Sequence, residues 1–191
     1  VVSEEHYDGE IAVVNGHSYA DPALKTPNTN FALLVSTRFT EPFKEPIRYG
    51  RYIARLANML TGGGVMVQRL GDLLKGRRTD WDRLKKSTTI PTLKTSVPGD
   101  LSYVLPHRYL TSIVETLRAF ENIVPGIYGR NTLLYGVEVK FYSSKVKVGK
   151  NFETPVANLY TIGDGAGITR GLMQASVSGI VVARDIAARG R

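Results

Sequence analysis

The stretch Asn158-Leu-Tyr-Thr-Ile-Gly-Asp-Gly-Ala-Gly-Ile-Thr-Arg-Gly171 decides how this chain is read. A short apolar run leads into glycines at alternate positions, and small and apolar residues then continue to about Ala188. That order predicts a strand over Asn158 to Ile162, a glycine turn, and a helix from near Arg170 to Ala188. Gly163, Gly165 and Gly167 leave the main chain uncovered, so a ligand can come close to the backbone. Asp164 stands at the carboxyl end of the strand, where open α/β sheets place ligand contacts, and its carboxylate accepts hydrogen bonds from hydroxyls. The helix that follows directs unpaired N–H groups and a partial positive charge at the same turn. Together these features point to an anion or a polyol and leave nucleotide, sugar phosphate and flavin open. The competing reading is a glycine turn with a structural role alone. Within the helix, Ala175, Gly179 and Ala183 recur every four residues and make a small stripe for close packing.

Outward from this segment the chain alternates between helix and strand signals. Gly9 to Val14 has short strand character and Asn15-Gly16 is a turn signal. Phe31 to Phe39, rich in β-branched and aromatic residues, predicts a partly buried strand. Pro46 opens a helix whose apolar face is Tyr49, Ile53, Leu56, Ala57 and Leu60, and Gly62-Gly63-Gly64 ends it. Val65 to Gln68 follows as a short strand, then a loop-rich stretch to Asp100. A second helix starts at His107 with Leu110, Ile113, Val114, Leu117 and Phe120 on one face. Thr132 to Tyr142 alternates and predicts a strand, Leu133 to Phe141 supplying the buried face and Glu138 and Lys140 the other. Val146 and Val148 continue as a neighbouring strand.

Composition restricts the chemistry. With 42% hydrophobic and 22% charged residues the chain folds, far from the signature of disorder. It has no cysteine, which excludes disulfides, thiolate zinc sites and a cysteine nucleophile. No apolar run is long enough for a membrane span and the first residues lack a leader pattern, so the cytoplasm is the expected compartment. A net charge of +8 raises the question of a polyanionic partner. Lys75, Arg77, Arg78, Arg83, Lys85 and Lys86 are, however, interrupted by Asp72, Asp80 and Asp82 and lack the regular aromatic interleaving of single-strand readers. A solvated face is the expected role, with nucleic-acid or RNA-modifying function as the alternative. His17 and His107 have no third ligand nearby in sequence, and no metal site is assigned.

The stretch Asn158 to Gly167 resembles the second FAD fingerprint of two-dinucleotide-binding flavoproteins. The resemblance implies that Asp164 binds the ribityl hydroxyls and that Gly163 and Gly165 allow the close approach. It places Thr169, Arg170 and Gly171 near the pyrimidine edge of the ring, where a helix dipole favours negative charge. Asn30 to Val35, Val67 to Asp72, Tyr135 to Lys140 and Arg170 to Ser176 extend the likeness over nearly the whole chain, to the uncharacterised bacterial NAD(FAD)-utilising dehydrogenase family.

The implied fold is a mixed α+β piece of a FAD-binding Rossmann-like protein. Residues 1–27 and 143–191 would form the C-terminal part of the flavin domain, and residues 28–142 an inserted substrate domain of antiparallel strands and two helices. The implied function is that of an FAD-dependent oxidoreductase, with NAD(P)H a candidate electron donor and a small molecule of unknown identity as substrate. Glu138 and Lys140 are candidate catalytic residues on the substrate side. A non-catalytic binding module is the further alternative. The first fingerprint, GxGxxG opening a helix, is absent from these residues. The pyrophosphate site is therefore expected in an N-terminal FAD-binding half upstream, with this chain alone inactive and prone to self-association.

Overall fold

Pro46 and Gly62 bracket the first long helix for opposite reasons. Proline at the first turn forfeits only an N–H that the helix leaves unpaired, whereas Gly62 takes the left-handed conformation, with φ of 74°, that closes the last turn. The helix, α1 (Pro46–Thr61), buries Ala54, Ala57 and Asn58. These residues face a hairpin of β1 (Val2–Tyr7) and β2 (Ile11–Gly16), paired antiparallel with Val2 opposite Gly16 and Tyr7 opposite Ile11. Asn58 does the work of a neighbouring strand there. Its side-chain amide accepts from the Ala12 N–H at 3.0 Å and donates to the Ala12 carbonyl at 2.9 Å. A buried backbone pair is thereby satisfied by one side chain, and helix and hairpin are fixed in register.

A three-stranded sheet carries the rest of this region. Its order is β4 (Val97–Pro98), β3 (Met66–Arg69) and β5 (Leu133–Gly136), with β3 parallel to β4 and antiparallel to β5. Two short helices, α2 (Leu70–Leu73) and α3 (Trp81–Lys85), follow β3, and α4 (His107–Phe120) precedes β5. Ile11, Val13, Ala54, Ala57, Met66, Leu101, Val104 and Val137 form one core, and Leu70, Leu73 and Leu117 a second. Leu134 packs on both.

The computed structural model describes residues 1–7, 10–141 and 144–190. These fall into two units, 1–139 and 140–191, the break lying three residues before the boundary expected at 143. The hairpin at the start of the chain shares its core with α1 and β3, inside the first unit. In the second unit, α5 (Leu172–Arg189) is the long element, and a hairpin-like excursion of residues 149–161 is closed by the bridge between Glu153 and Tyr160. The fold class is mixed α+β.

Three expected strands are not formed. Phe31 to Phe39 is irregular; Leu33 packs on the second core, Phe31 meets the Phe120 ring, and Phe39 meets Phe43 and Tyr49. Those aromatics cover helices instead of a pleated sheet. Residues 146–148 are likewise irregular, and of 158–162 only Tyr160 makes a bridge. The strand expected over 132–142 is paired only from Leu133 to Gly136, with Tyr142 outside the described residues. Asn15-Gly16, expected as a turn, ends β2, and the hairpin reverses before Ile11.

Candidate functional site

The glycine turn is a single tight 3-10 turn, Asp164–Ala166, closed by the Gly167 N–H donating to the Asp164 carbonyl at 2.9 Å. Its three glycines are required to different degrees. Gly163 has φ of 74°, a conformation that side-chain-bearing residues rarely take. Gly167 has φ of 71°, and a Cβ there would strike the Ser144 carbonyl oxygen and come within 2.9 Å of Lys145 Cα. It also follows the point where Val146 donates to the Ala166 carbonyl at 3.1 Å. Gly165 is different, since its φ is not in the left-handed region and a Cβ there would meet nothing within 4 Å. The fold of the described residues gives no reason for a glycine at 165.

Asp164 accepts a short hydrogen bond at Oδ1 from the Thr169 hydroxyl. This bond turns the segment 164–169 back on itself and brings the carboxylate to the entrance of α5. Arg170 Nη1 donates to the Thr169 carbonyl at 2.8 Å, and Gly171, in extended conformation, is the helix N-cap. A glycine offers no side-chain acceptor, and no acidic residue lies in the first turn of α5. The leading N–H groups therefore keep their capacity to favour negative charge from outside the helix. Gly163, Asp164, Gly165, Thr169, Arg170 and Gly171 thus lie in the segment that leads through the turn into α5, and the Asp164–Thr169 bond joins its two halves.

The packed face of α5 differs from the expected stripe. Ser178 and Val182 are buried, Ala175 and Gly179 half-buried, and Ala183 exposed. The helix runs against the segment 149–163 through polar contacts. Asp185 takes Asn151 at 2.6 Å and the Tyr160 hydroxyl at 3.1 Å, and Arg189 pairs with Glu153 at 2.6 Å and Asp185 at 2.8 Å. Glu153 also accepts from the Asn158 N–H, and these donors, Arg189 first, hold its carboxyl below the usual range. A cavity of about 450 Å³ beside the turn is lined by Lys145 to Val148 and Ile168. Another of about 470 Å³ is lined by Lys147, Lys150, Glu153 and Arg189 among others, with no residue from the turn.

The other sequence candidates lie elsewhere. Glu138 is half-buried past the end of β5 in the first unit, and Lys140, exposed, opens the second; neither is in a strand. His17 stands near the Ser3 hydroxyl and edge-on to Tyr19, and His107 begins α4. Within the basic cluster, Arg77 is bound at 2.9 Å to the buried carboxylate of Asp72, which also accepts from Thr79, and Arg83 pairs with Asp80. These two arginines brace loops; Arg77 is itself exposed, as are Lys75, Arg78, Lys85 and Lys86. Among the described residues no helix is long and apolar enough to cross a membrane, and no three His, Asp or Glu residues gather to hold a metal.

Sequence reasoning missed one position that sets the geometry here: Ser178 is buried and accepts the Gly163 N–H. Thr169, expected at the ring edge, instead donates its hydroxyl to the Asp164 carboxylate.

An uncharacterized protein of Clostridium beijerinckii is similar to this chain, 31% identical over 197 residues that cover 97% of the chain and 35% of that protein. The chain thus spans about a third of the length of that relative. The family model described as FAD-dependent protein, C-terminal domain-like, matches residues 1–141, ending close to the break between the two units. By that match the chain belongs to the FAD-dependent protein family, in its C-terminal domain-like part.

Proposed function

We propose that this chain forms the C-terminal part of an FAD-dependent oxidoreductase in which the turn 163–171 holds the ribityl and ring end of FAD. The observation that carries the reading is Gly165. It lies next to a carboxylate, ahead of a helix start without a side-chain cap, and open space stands where its Cβ would be. Such a position suits a ligand that approaches the backbone itself. Membership of an FAD-dependent family supports flavin as that ligand.

In this reading Asp164 accepts hydrogen bonds from the ribityl hydroxyls, with Thr169 holding the carboxylate in place from the other side. The amides following Gly171 favour negative charge on the pyrimidine edge of the ring. When bound, FAD supplies hydride chemistry that no side chain of the protein provides. The residues of the turn orient the ring and bias its charge, and they transfer no proton themselves. The second unit belongs to a Rossmann-like flavin domain and the body of the first to a substrate domain, with NAD(P)H as the electron donor and Glu138 and Lys140 on the substrate side.

The test is the visible spectrum of the protein in its full encoded length, with Asp164→Ala beside it. Removing charge-assisted hydrogen bonds worth about 1.5–3 kcal/mol weakens flavin retention by roughly ten- to a hundredfold. An Asp164→Ala protein that purifies with full flavin and unchanged affinity would sink the assignment. Anaerobic NADH or NADPH that leaves the visible flavin band unbleached would remove the nicotinamide donor from the reading.

A further inference from the structure

We infer that Ser178 is the positioning residue for Asp164, holding the Gly163 amide on α5 so that the carboxylate is presented at one fixed place; this rests on the reading of 163–171 as a flavin site. Ser178 is 2% exposed, on the face of α5 that also buries Val182. Its hydroxyl is used twice, donating to the Ala175 carbonyl at 2.6 Å and accepting from the Gly163 N–H at 3.2 Å. Ser176, two residues earlier, makes a useful contrast. It is exposed, and its hydroxyl donates to the Leu172 carbonyl at 2.9 Å, the ordinary local bond of a helical serine. The additional bond to Gly163 is what distinguishes Ser178.

The bond fixes more than one atom. Gly163 has a positive φ of 74° and the next residue is Asp164, so the orientation of the Gly163 peptide governs where the carboxylate emerges. Three residues before Gly163, the Tyr160 hydroxyl donates to Asp185, seven residues beyond Ser178 on the same helix. The two contacts run antiparallel and tie the segment to the helix at two points. Without the Ser178 contact the Gly163 end loses its tie to α5, while Tyr160 and Asp185 still hold the other. A carboxylate that must meet several hydroxyls of one ligand needs support of this kind, because small displacements lose its hydrogen bonds.

The experiment compares wild type, Ser178→Ala and Ser176→Ala in the full encoded length of the protein, by amide hydrogen exchange without flavin and by FAD titration of the flavin-stripped protein. Alanine is the better helix former, so α5 itself is not weakened by either substitution. The expected result is protection of the Gly163 amide in wild type. In Ser178→Ala that amide should exchange at least about tenfold faster while Val181 and Val182 stay protected. The FAD dissociation constant should rise by about tenfold, the loss expected from one buried hydrogen bond. Ser176→Ala should match wild type in both. An unprotected Gly163 amide in wild type overturns the proposal without recourse to any variant. Faster Gly163 exchange with unchanged FAD affinity also overturns it, leaving Ser178 as a fold residue and the flavin reading intact. A wild type that protects Gly163 yet binds no FAD overturns the flavin reading instead, and the titration of wild type alone tells the two failures apart.

Discussion

Gly165 and Gly167 sit two residues apart in one turn and should respond oppositely to the same substitution. In Gly167→Ala the new Cβ would have to occupy a left-handed backbone, at a cost of about 1–2 kcal/mol. It would also press on the backbone of Ser144 and Lys145, the latter within 2.9 Å, where no flexible side chain can yield. Overpacking of that kind costs about 1–3 kcal/mol, so the second unit should lose roughly 2–5 kcal/mol. Gly165→Ala meets no atom within 4 Å and no left-handed strain, and should fall within about 0.5 kcal/mol of wild type. Native-state hydrogen exchange read at Val146, which donates to the turn, and at Val182 in α5 measures both. A larger side chain at 165 reaches into the ligand's space. Gly165→Leu should preserve that protection while lowering FAD affinity by at least tenfold, since it fills the space assigned to the ligand. Gly167→Ala as stable as wild type would refute the geometry of the turn, and Gly165→Leu with undiminished FAD binding would refute the approach to the backbone.

Other outcomes follow from features of each unit. Asn58→Ala strands the buried Ala12 N–H and carbonyl, and at about 1–3 kcal/mol for each unsatisfied group should destabilise the first unit by about 2–6 kcal/mol in urea unfolding followed by Trp81 fluorescence. Loss below about 1 kcal/mol would mean that water replaces the amide. The depressed carboxyl of Glu153 stabilises the 149–161 excursion against α5 fully above the unfolded glutamate value, about 4.3, and this contribution disappears as pH falls through the lower folded value. Exchange at the Asn158 amide should thus accelerate in acid beyond its intrinsic pH dependence, and no added acceleration would count against the Arg189 latch. The 191 residues by themselves, without a GxGxxG pyrophosphate site, should bind FAD more weakly than the full encoded length by several factors of ten, each about 1.4 kcal/mol. Submicromolar FAD binding by the isolated chain would locate a pyrophosphate site within it.

The helices were legible because their signals are local. Pro46, the three- and four-residue spacing of Ile53, Leu56 and Ala57, and Gly62 specify α1 without reference to the rest of the chain, although Leu60 of the expected face is exposed and Ala54 is buried in its place, and the apolar repeat from Leu110 to Leu117 does the same for α4. Strands were much less so, because a strand exists through its partner. Phe31 to Phe39 has the composition of one, yet its aromatics find helices to cover and no edge to pair with. The converse holds for β4, two residues whose place depends on β3 alongside. At the candidate site the glycines and Asp164 could be picked out from their order alone. The distinction between a glycine required by its φ, one required by a close neighbour and one required by neither needed the three-dimensional turn. Ser178 was hidden because its partner is a backbone N–H fifteen residues away, which carries no sequence signature.

The amide of Asn58 has a consequence for how the hairpin meets other chains. Along β2 the residues whose backbone groups point away from β1 are Ala12, Val14 and Gly16, since Ile11, Val13 and Asn15 face their partners across the ladder. Ala12 is saturated by Asn58, Val14 donates to the Val137 carbonyl at 3.0 Å and the Gly16 N–H donates to the Asn15 side chain at 2.8 Å, so β2 offers little purchase for strand addition. The outer margin of β1 is closed at its start by Thr92, which accepts from the Val2 N–H. What remains are the positions of Glu4 and His6, whose side chains pair with each other at 2.8 Å. An incoming strand would have to settle beside that carboxylate and imidazole. Charged and polar side chains on a short outermost strand are a means by which proteins discourage intermolecular sheet growth, and here a helix side chain guards one margin of the hairpin while the Glu4–His6 contact guards the other.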